Sequence, residues 1–202
     1  MDPLATAQQL ADRLKLPPFE GEELAQVQLL LDDASDEIRA IVGQAISRTT
    51  STVVLWADKP GRVDLPAWPV VSVDEVKYNG EVLDPASYRV RYRTLLLPVH
   101  CTRAEIEVTY THGWDPIPNE IVKWTCVLAA AMWNAVRDTG ALGMSAGMVQ
   151  RTEAIDDYQL SWQSAEAAGG DSASGLTLAP RIAERLRATY GGGSVAWLEV
   201  DG

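Results

Sequence analysis

Apolar residues recur along the first quarter of the chain at spacings of three and four, then at two, then at three and four again, so helix gives way to sheet and sheet to helix. The opening "ATAQQLADRLKL" predicts a short helix with Thr6 as N-cap and Leu10 and Leu14 on one face, stopped by Pro17 and Pro18. From about Glu22 to Ala45, the residues Leu24, Val27, Leu31, Ala34, Ile38, Ile41 and Ala45 make one apolar stripe, backed by Asp32, Asp33, Asp36 and Glu37. "STVVLWAD", "VVSVDEVKY", "EVLDPASYRVRY", "TLLLPV" and "AEIEVTYTHG" are rich in Val, Thr, Tyr and Leu and separated by turn residues. They predict a small antiparallel sheet over about residues 50–111. Within it, Asn79-Gly80 predicts a type I′ turn, because both central positions of that turn need a positive φ.

The helical period returns at Pro118, where Ile121, Trp124, Leu128, Met132 and Ala135 form one stripe and Cys126, Ala129, Ala130, Trp133 and Val136 another. A helix apolar on most faces is central and buried, and Gly140 ends it. Beyond it, Tyr158, Leu160 and Trp162 stand at strand spacing in an extended arm. "APRIAERLRATYGGG" is a closing helix with Pro180 in its first turn, and "SVAWLEVDG" is an apolar tail. The fold class is therefore α+β. A core of about four helices carries an inserted antiparallel sheet, with N-terminal helices in 1–49, the sheet in 50–111 and the central helix in 112–140. The arm follows in 141–175, then the closing helix and tail in 176–202.

Composition narrows the function. The formal charge is −11, and residues 1–47 hold nine acidic against three basic side chains, so the acid is concentrated on the first helices. Affinity for phosphate backbones needs clustered Lys and Arg, so DNA near this chain would pass without specific binding. No stretch of about 18 apolar residues suggests a membrane span, and "MDPLATAQQL" has no signal-like region, which predicts a soluble chain made in the cytoplasm. Cys101 and Cys126 belong to no paired motif and read as two reduced thiols.

The stretch "YTHGWDPIPNEI" offers the one catalytic candidate, His112 with Asp115, which as an alternative would make the chain a small hydrolase. A nucleophile signature is missing, and His100, Cys101 and His112 match no familiar ligand spacing, so neither catalysis nor a metal or cofactor is expected. The same stretch reads better as a corner. Gly113 allows a φ other residues resist, Trp114 buries its indole, and Pro118 occupies the first helical position while pushing Ile117 out of the helical region. Asn119 and Glu120 then set polar and negative groups by the positive helix end. Arg89, Arg91 and Arg93 alternate along one strand and should share a face, either solvated or docked on an acidic surface. Trp162 and Trp197 lie where local burial is not expected, which suits contact with a partner.

Three stretches in order resemble the head-to-tail connector (adaptor) proteins of long-tailed bacteriophages: the N-terminal helix pair, "VTYTHGWDPIPNEIVKWTCVLAAAMW", and "RTEAIDDYQLSWQ" followed by "LTLAPRIAERLRATYG". The resemblance implies a non-enzymatic virion neck protein, made in the host cytoplasm, that assembles as a homo-oligomeric, dodecameric ring on the portal protein after DNA packaging. Its further partner would be the next connector (stopper) or tail protein. It further implies a portal-docking tail at Val195, Trp197, Leu198 and Val200. An arm from Val149 through Arg151, Tyr158 and Leu160 to Trp162 would reach a neighbouring subunit or ring. The two patches of a ring contact would be the arm and the acidic helix of Asp32, Asp33, Asp36 and Glu37, or Arg89, Arg91 and Arg93 and that same helix. A bacterial protein-interaction module unrelated to phage is the other reading.

Overall fold

The computed structural model describes residues 1–57, 61–98, 105–139, 150–155, 158–163 and 178–192. The chain is α+β, with four helices and nine strands among these residues. Two compact units divide it, Met1–Val42 with Ile117–Tyr190 and Gly43–Pro116 continued from Gly191.

In the helical unit, α1 (Ala7–Leu14) opens with a capping box: Thr6 Oγ1 accepts from Gln9 N–H at 3.2 Å and Gln9 Oε1 accepts from Thr6 N–H at 2.8 Å. It ends before the prolines, at Lys15, whose left-handed φ of 56° turns its N–H back onto the last carbonyls. The segment ahead of α1 is tied to α2 (Gly21–Val42), since the Leu4 N–H donates to Ser35 Oγ at 2.8 Å. The α2 stripe is buried at Val27, Leu31, Ala34, Ile38 and Ile41, with Leu30 added; the helix stops short of Ala45, at Gly43 with φ 72°. α3 (Asn119–Thr139) is buried on nearly every side from Ile121 to Trp133, and Pro118 supplies the carbonyl that accepts the first helical bond, from Val122. The proline thus sits one position ahead of the helix, at its cap.

Phe19, Leu10, Leu30, Leu31, Leu128 and Trp133 pack in one cluster, with Phe19 and Trp133 edge to face at 5.5 Å. Each such aliphatic side chain contributes about 1.5–3 kcal/mol by leaving water. α4 (Pro180–Tyr190) buries Ala183 and Leu186, and its Arg187 donates to the Ile41 carbonyl at 3.0 Å, satisfying one of the acceptors that α2 leaves open at its end.

The inserted region is two sheets where the strand pattern predicts one. β1 (Thr49–Trp56), β7 (Glu105–His112), β3 (Val70–Tyr78) and β4 (Glu81–Val82) form an antiparallel sheet in that order. β2 (Arg62–Asp64), β6 (Thr94–Leu96) and β5 (Arg89–Arg91) form a second. Three-residue strands are too short to carry a visible period, so the sequence does not separate the sheets. Val63, Leu65, Leu95 and Leu97, in and beside the small sheet, share one cluster with Val76, Ile106, Val108 and Tyr110 of the large one. Asn79 (φ 49°) and Gly80 (φ 84°) make the expected two-residue turn between Tyr78 and Glu81. The arm is a hairpin of β8 (Gln150–Ile155) and β9 (Tyr158–Gln163), in which Arg151 faces Trp162 and Glu153 faces Leu160.

At the end of β7 the chain turns a corner held by main-chain bonds. The Gly113 N–H donates to Pro69 O at 3.0 Å, the Trp114 N–H to Ile46 O at 2.8 Å, and the Arg48 N–H to Trp114 O at 3.2 Å. Gly113 has φ 96°, and a Cβ there would lie 2.5 Å from the Ser47 carbonyl oxygen. Trp114 is half-buried, edge to face with Trp68 at 5.2 Å. Gly113→Ala is expected to destabilise the protein by about 3 kcal/mol or more, since it adds a main-chain clash to the left-handed strain. Gly80→Ala, with open space at its Cβ, should cost about 1 kcal/mol. Urea unfolding followed by tryptophan fluorescence separates the two; equal losses would mean the close approach relaxes freely.

Candidate functional site

His112 closes β7 with its side chain on the core face, 3 % exposed. The ring lies 4.9 Å from that of Tyr110, and Nε2 shares a hydrogen with Ser51 Oγ at 3.0 Å; Nδ1 has no partner. Tyr110 in turn accepts the Ala67 N–H at 3.1 Å, and burial raises its phenol pKa. Asp115 takes a different partner, Arg48 at 3.3 Å, and is exposed. The His112/Asp115 pair of the hydrolase alternative is therefore not hydrogen-bonded. Ser51 and His112 alone lack the acceptor on Nδ1 that would orient a general base. Burial also lowers the basicity of the imidazole. Ser51 is the functional-looking neighbour that sequence reading misses: it lies 61 positions away, and only the β1–β7 register brings it near.

The outer face of the large sheet satisfies itself. Thr50 meets Thr111 at 2.8 Å and Thr52 meets Thr109 at 2.9 Å, while Lys77 holds Glu107 at 2.6 Å and Glu75 at 3.0 Å, contacts that raise its pKa. Among the described residues no group of three His, Cys, Asp or Glu side chains could hold a metal ion, and no helix is long and apolar enough to cross a membrane. His100 and Cys101 lie outside the described residues.

The charged candidates divide. Arg89 and Arg91 are exposed on β5, as alternation predicts, but Arg93 is not on that strand. Arg91 pairs with Thr94, so Tyr92 and Arg93 are the two turn residues, and the Arg93 carbonyl accepts the Leu65 N–H at 2.7 Å. Tyr92, which the pattern did not single out, is 88 % exposed with φ 58°. On α2, Asp32, Asp33 and Asp36 are exposed and Glu37 is half-buried. Asp36 pairs with Arg39 at 2.8 Å. Leu29, 66 % exposed, lies one turn before Asp32 and Asp33. Of the arm, Arg151, Tyr158, Leu160 and Trp162 fall on β8 and β9, whereas Val149 and the tail residues Val195, Trp197, Leu198 and Val200 lie outside the described residues.

No protein-family model matches the chain, and no curated protein matches it. Solved structures do. A chain in the neck of an empty gene transfer agent particle, computed with C6 symmetry, superposes with a TM-score of 0.50 and 21 % identity, over 70 % of this chain and 82 % of that one. The two chains share a fold. A chain in the virion of a native gene transfer agent particle superposes with a TM-score of 0.51 and 20 % identity, over 68 % and 81 %. These likenesses agree with the resemblance to head-to-tail connectors of phage.

The buried imidazole gives a pH signature. With its folded pKa below the ordinary 6.5, His112 binds its proton more readily unfolded than folded. Its contribution to stability is therefore intact above about pH 6.5 and is lost as pH falls from there through the folded value. His112→Gln keeps a partner for Ser51 and removes the titration. Thermal unfolding from about pH 7.5 down to about pH 5.5 should show a steeper fall for wild type than for the variant; parallel curves would refute the assignment.

Proposed function

We propose that the chain is a head-to-tail connector, an adaptor that binds the portal after DNA packaging and joins the capsid to the tail. The observation that carries this reading is the fold shared with a neck chain over four fifths of that chain's length. Its role is shape and contact, with no catalysis; the unlinked His112 and Asp115 are in keeping with that. It acts as a virion component, repeated in a dodecameric ring, with portal protein on one side and the next connector (stopper) or a tail protein on the other. The negative balance of −11 lets packaged DNA pass through by repulsion from its phosphates, without specific binding.

In this reading Val195, Trp197, Leu198 and Val200 are the portal-docking tail, because a short apolar segment after three glycines suits a strand that orders by adding to a partner's sheet. The arm from Val149 to Trp162 reaches the adjacent subunit or the next ring. In its register Arg151 pairs with Trp162 and Glu153 with Leu160.

Full-length protein mixed with purified portal rings of the same particle should form stacked rings in electron micrographs. Deletion of residues 195–202 should abolish the stacks while leaving the circular dichroism spectrum and thermal midpoint unchanged. Absence of stacks with the full chain would overturn the connector reading; stacks that survive the deletion would overturn the docking tail alone.

A further inference from the structure

The β5–β6 hairpin presents more than its fold requires. Every residue of β5 is exposed, so the strand adds hydrogen bonds to β6 but no side chain to the buried core. Its turn puts a tyrosine where φ is 58°, a conformation that glycine or asparagine adopts at less cost, and leaves the ring almost wholly in water. Arg89, Arg91 and Arg93 have no carboxylate partner among the described residues. The nearby Asp64 is already engaged by Thr94 Oγ1 at 2.6 Å and by Arg62 at 3.9 Å. Arginine beside an exposed aromatic, on a strained turn, is the composition of a protein-contact hot spot.

The complementary surface is on the same chain. Leu29, Asp32 and Asp33 share one exposed side of α2, an apolar side chain beside carboxylates that make no ion pair among the described residues. Asp32 and Asp33 are successive residues that diverge by about 100° round the helix, and Arg89 and Arg91 are about 6.6 Å apart along the strand, so each arginine can meet one carboxylate. We propose that the hairpin docks through Arg89, Arg91 and Tyr92 on the stripe Leu29, Asp32 and Asp33 of a second copy of the chain. The contact is heterologous, one patch of each copy meeting the other patch of the next, which is the kind that closes rings. For many copies to stand side by side, the inference rests on the neck reading. Duplex DNA is the competing occupant of an Arg–Tyr patch, but residues 48–115 carry nine acidic against eight basic side chains, so no wider positive field backs it.

Sedimentation velocity of the full chain, alone and with portal rings, tests the contact. Arg89→Glu/Arg91→Glu and Asp32→Arg/Asp33→Arg should each weaken self-association about tenfold or more. An equimolar mixture of the two should restore it to within about threefold, because the reversed patches match each other. Tyr92→Gly should raise the thermal midpoint while weakening association, a split that a purely structural tyrosine would not produce. Unchanged association in the charge variants, no rescue in the mixture, or a wild-type chain that stays monomeric alone and with portal would overturn the proposal. So would duplex DNA binding at low salt that is lost in Arg89→Glu/Arg91→Glu. Portal stacks indifferent to the charge reversals would remove this contact and leave the connector reading standing; rescue without portal binding would do the reverse.

Discussion

The sheet unit depends on the approach of the Ser47 carbonyl to Gly113, so close that a methyl group cannot stand between them. That approach lets the Trp114 N–H reach Ile46 O and the Gly113 N–H reach Pro69 O, which ties the end of β7 to the start of β1 and to the residue before β3. His112 then faces Thr49 on one side and Val70 on the other. Because side chains alternate along a strand, this one fixed point decides that Ile106, Val108, Tyr110 and His112 all face inward. A slip of one residue would bring Glu105 and Glu107 to the core instead.

The same register explains why a histidine can end the buried row. Ser51, on the inner side of β1, reaches Nε2, and the Tyr110 ring covers one face. The unpartnered Nδ1 is a cost of about 1–3 kcal/mol, kept bearable because a neutral imidazole leaves no buried charge. An oriented catalytic base is held the opposite way, by an acceptor on that second nitrogen. The geometry of His112 is thus that of a core residue, and the polarity of the corner lies in its main chain.

Elements whose side chains repeat over two turns or more were legible in the sequence. The stripes of α2 and α3 and the Asn79-Gly80 turn come directly from local spacing, and the fold class follows from them. What escaped was set by pairing between distant residues. β2, β5 and β6 are three residues each, so neither their separation into a second sheet nor the place of Arg93 in a turn could be read from alternation. Ser51 as the partner of His112 follows from the register of two strands far apart in sequence. The exposed pair Val54 and Trp56 had a signal, the alternation "TTSTVVLW", which sets them on the face of Thr50 and Thr52.

Electrostatics separates the surfaces that complete the fold from those left over. Arg48 meets Asp115, Arg62 meets Asp64, Lys77 lies between Glu75 and Glu107, Arg39 meets Asp36, and Arg185 meets Glu120. Arg89, Arg91 and Arg93 meet no carboxylate among the described residues. All three lie within five residues of one hairpin. Left-handed residues follow the same division: Lys15 ends a helix and Asn79 makes a two-residue turn with glycine, whereas Tyr92 takes the conformation without the small or amide side chain that eases it. Copies carrying −11 each repel at a distance, so any contact between them must draw on local opposite charge and desolvated apolar area. Among the described residues, the β5–β6 hairpin and the outer stripe of α2 each set exposed charge beside an exposed large side chain, Tyr92 and Leu29.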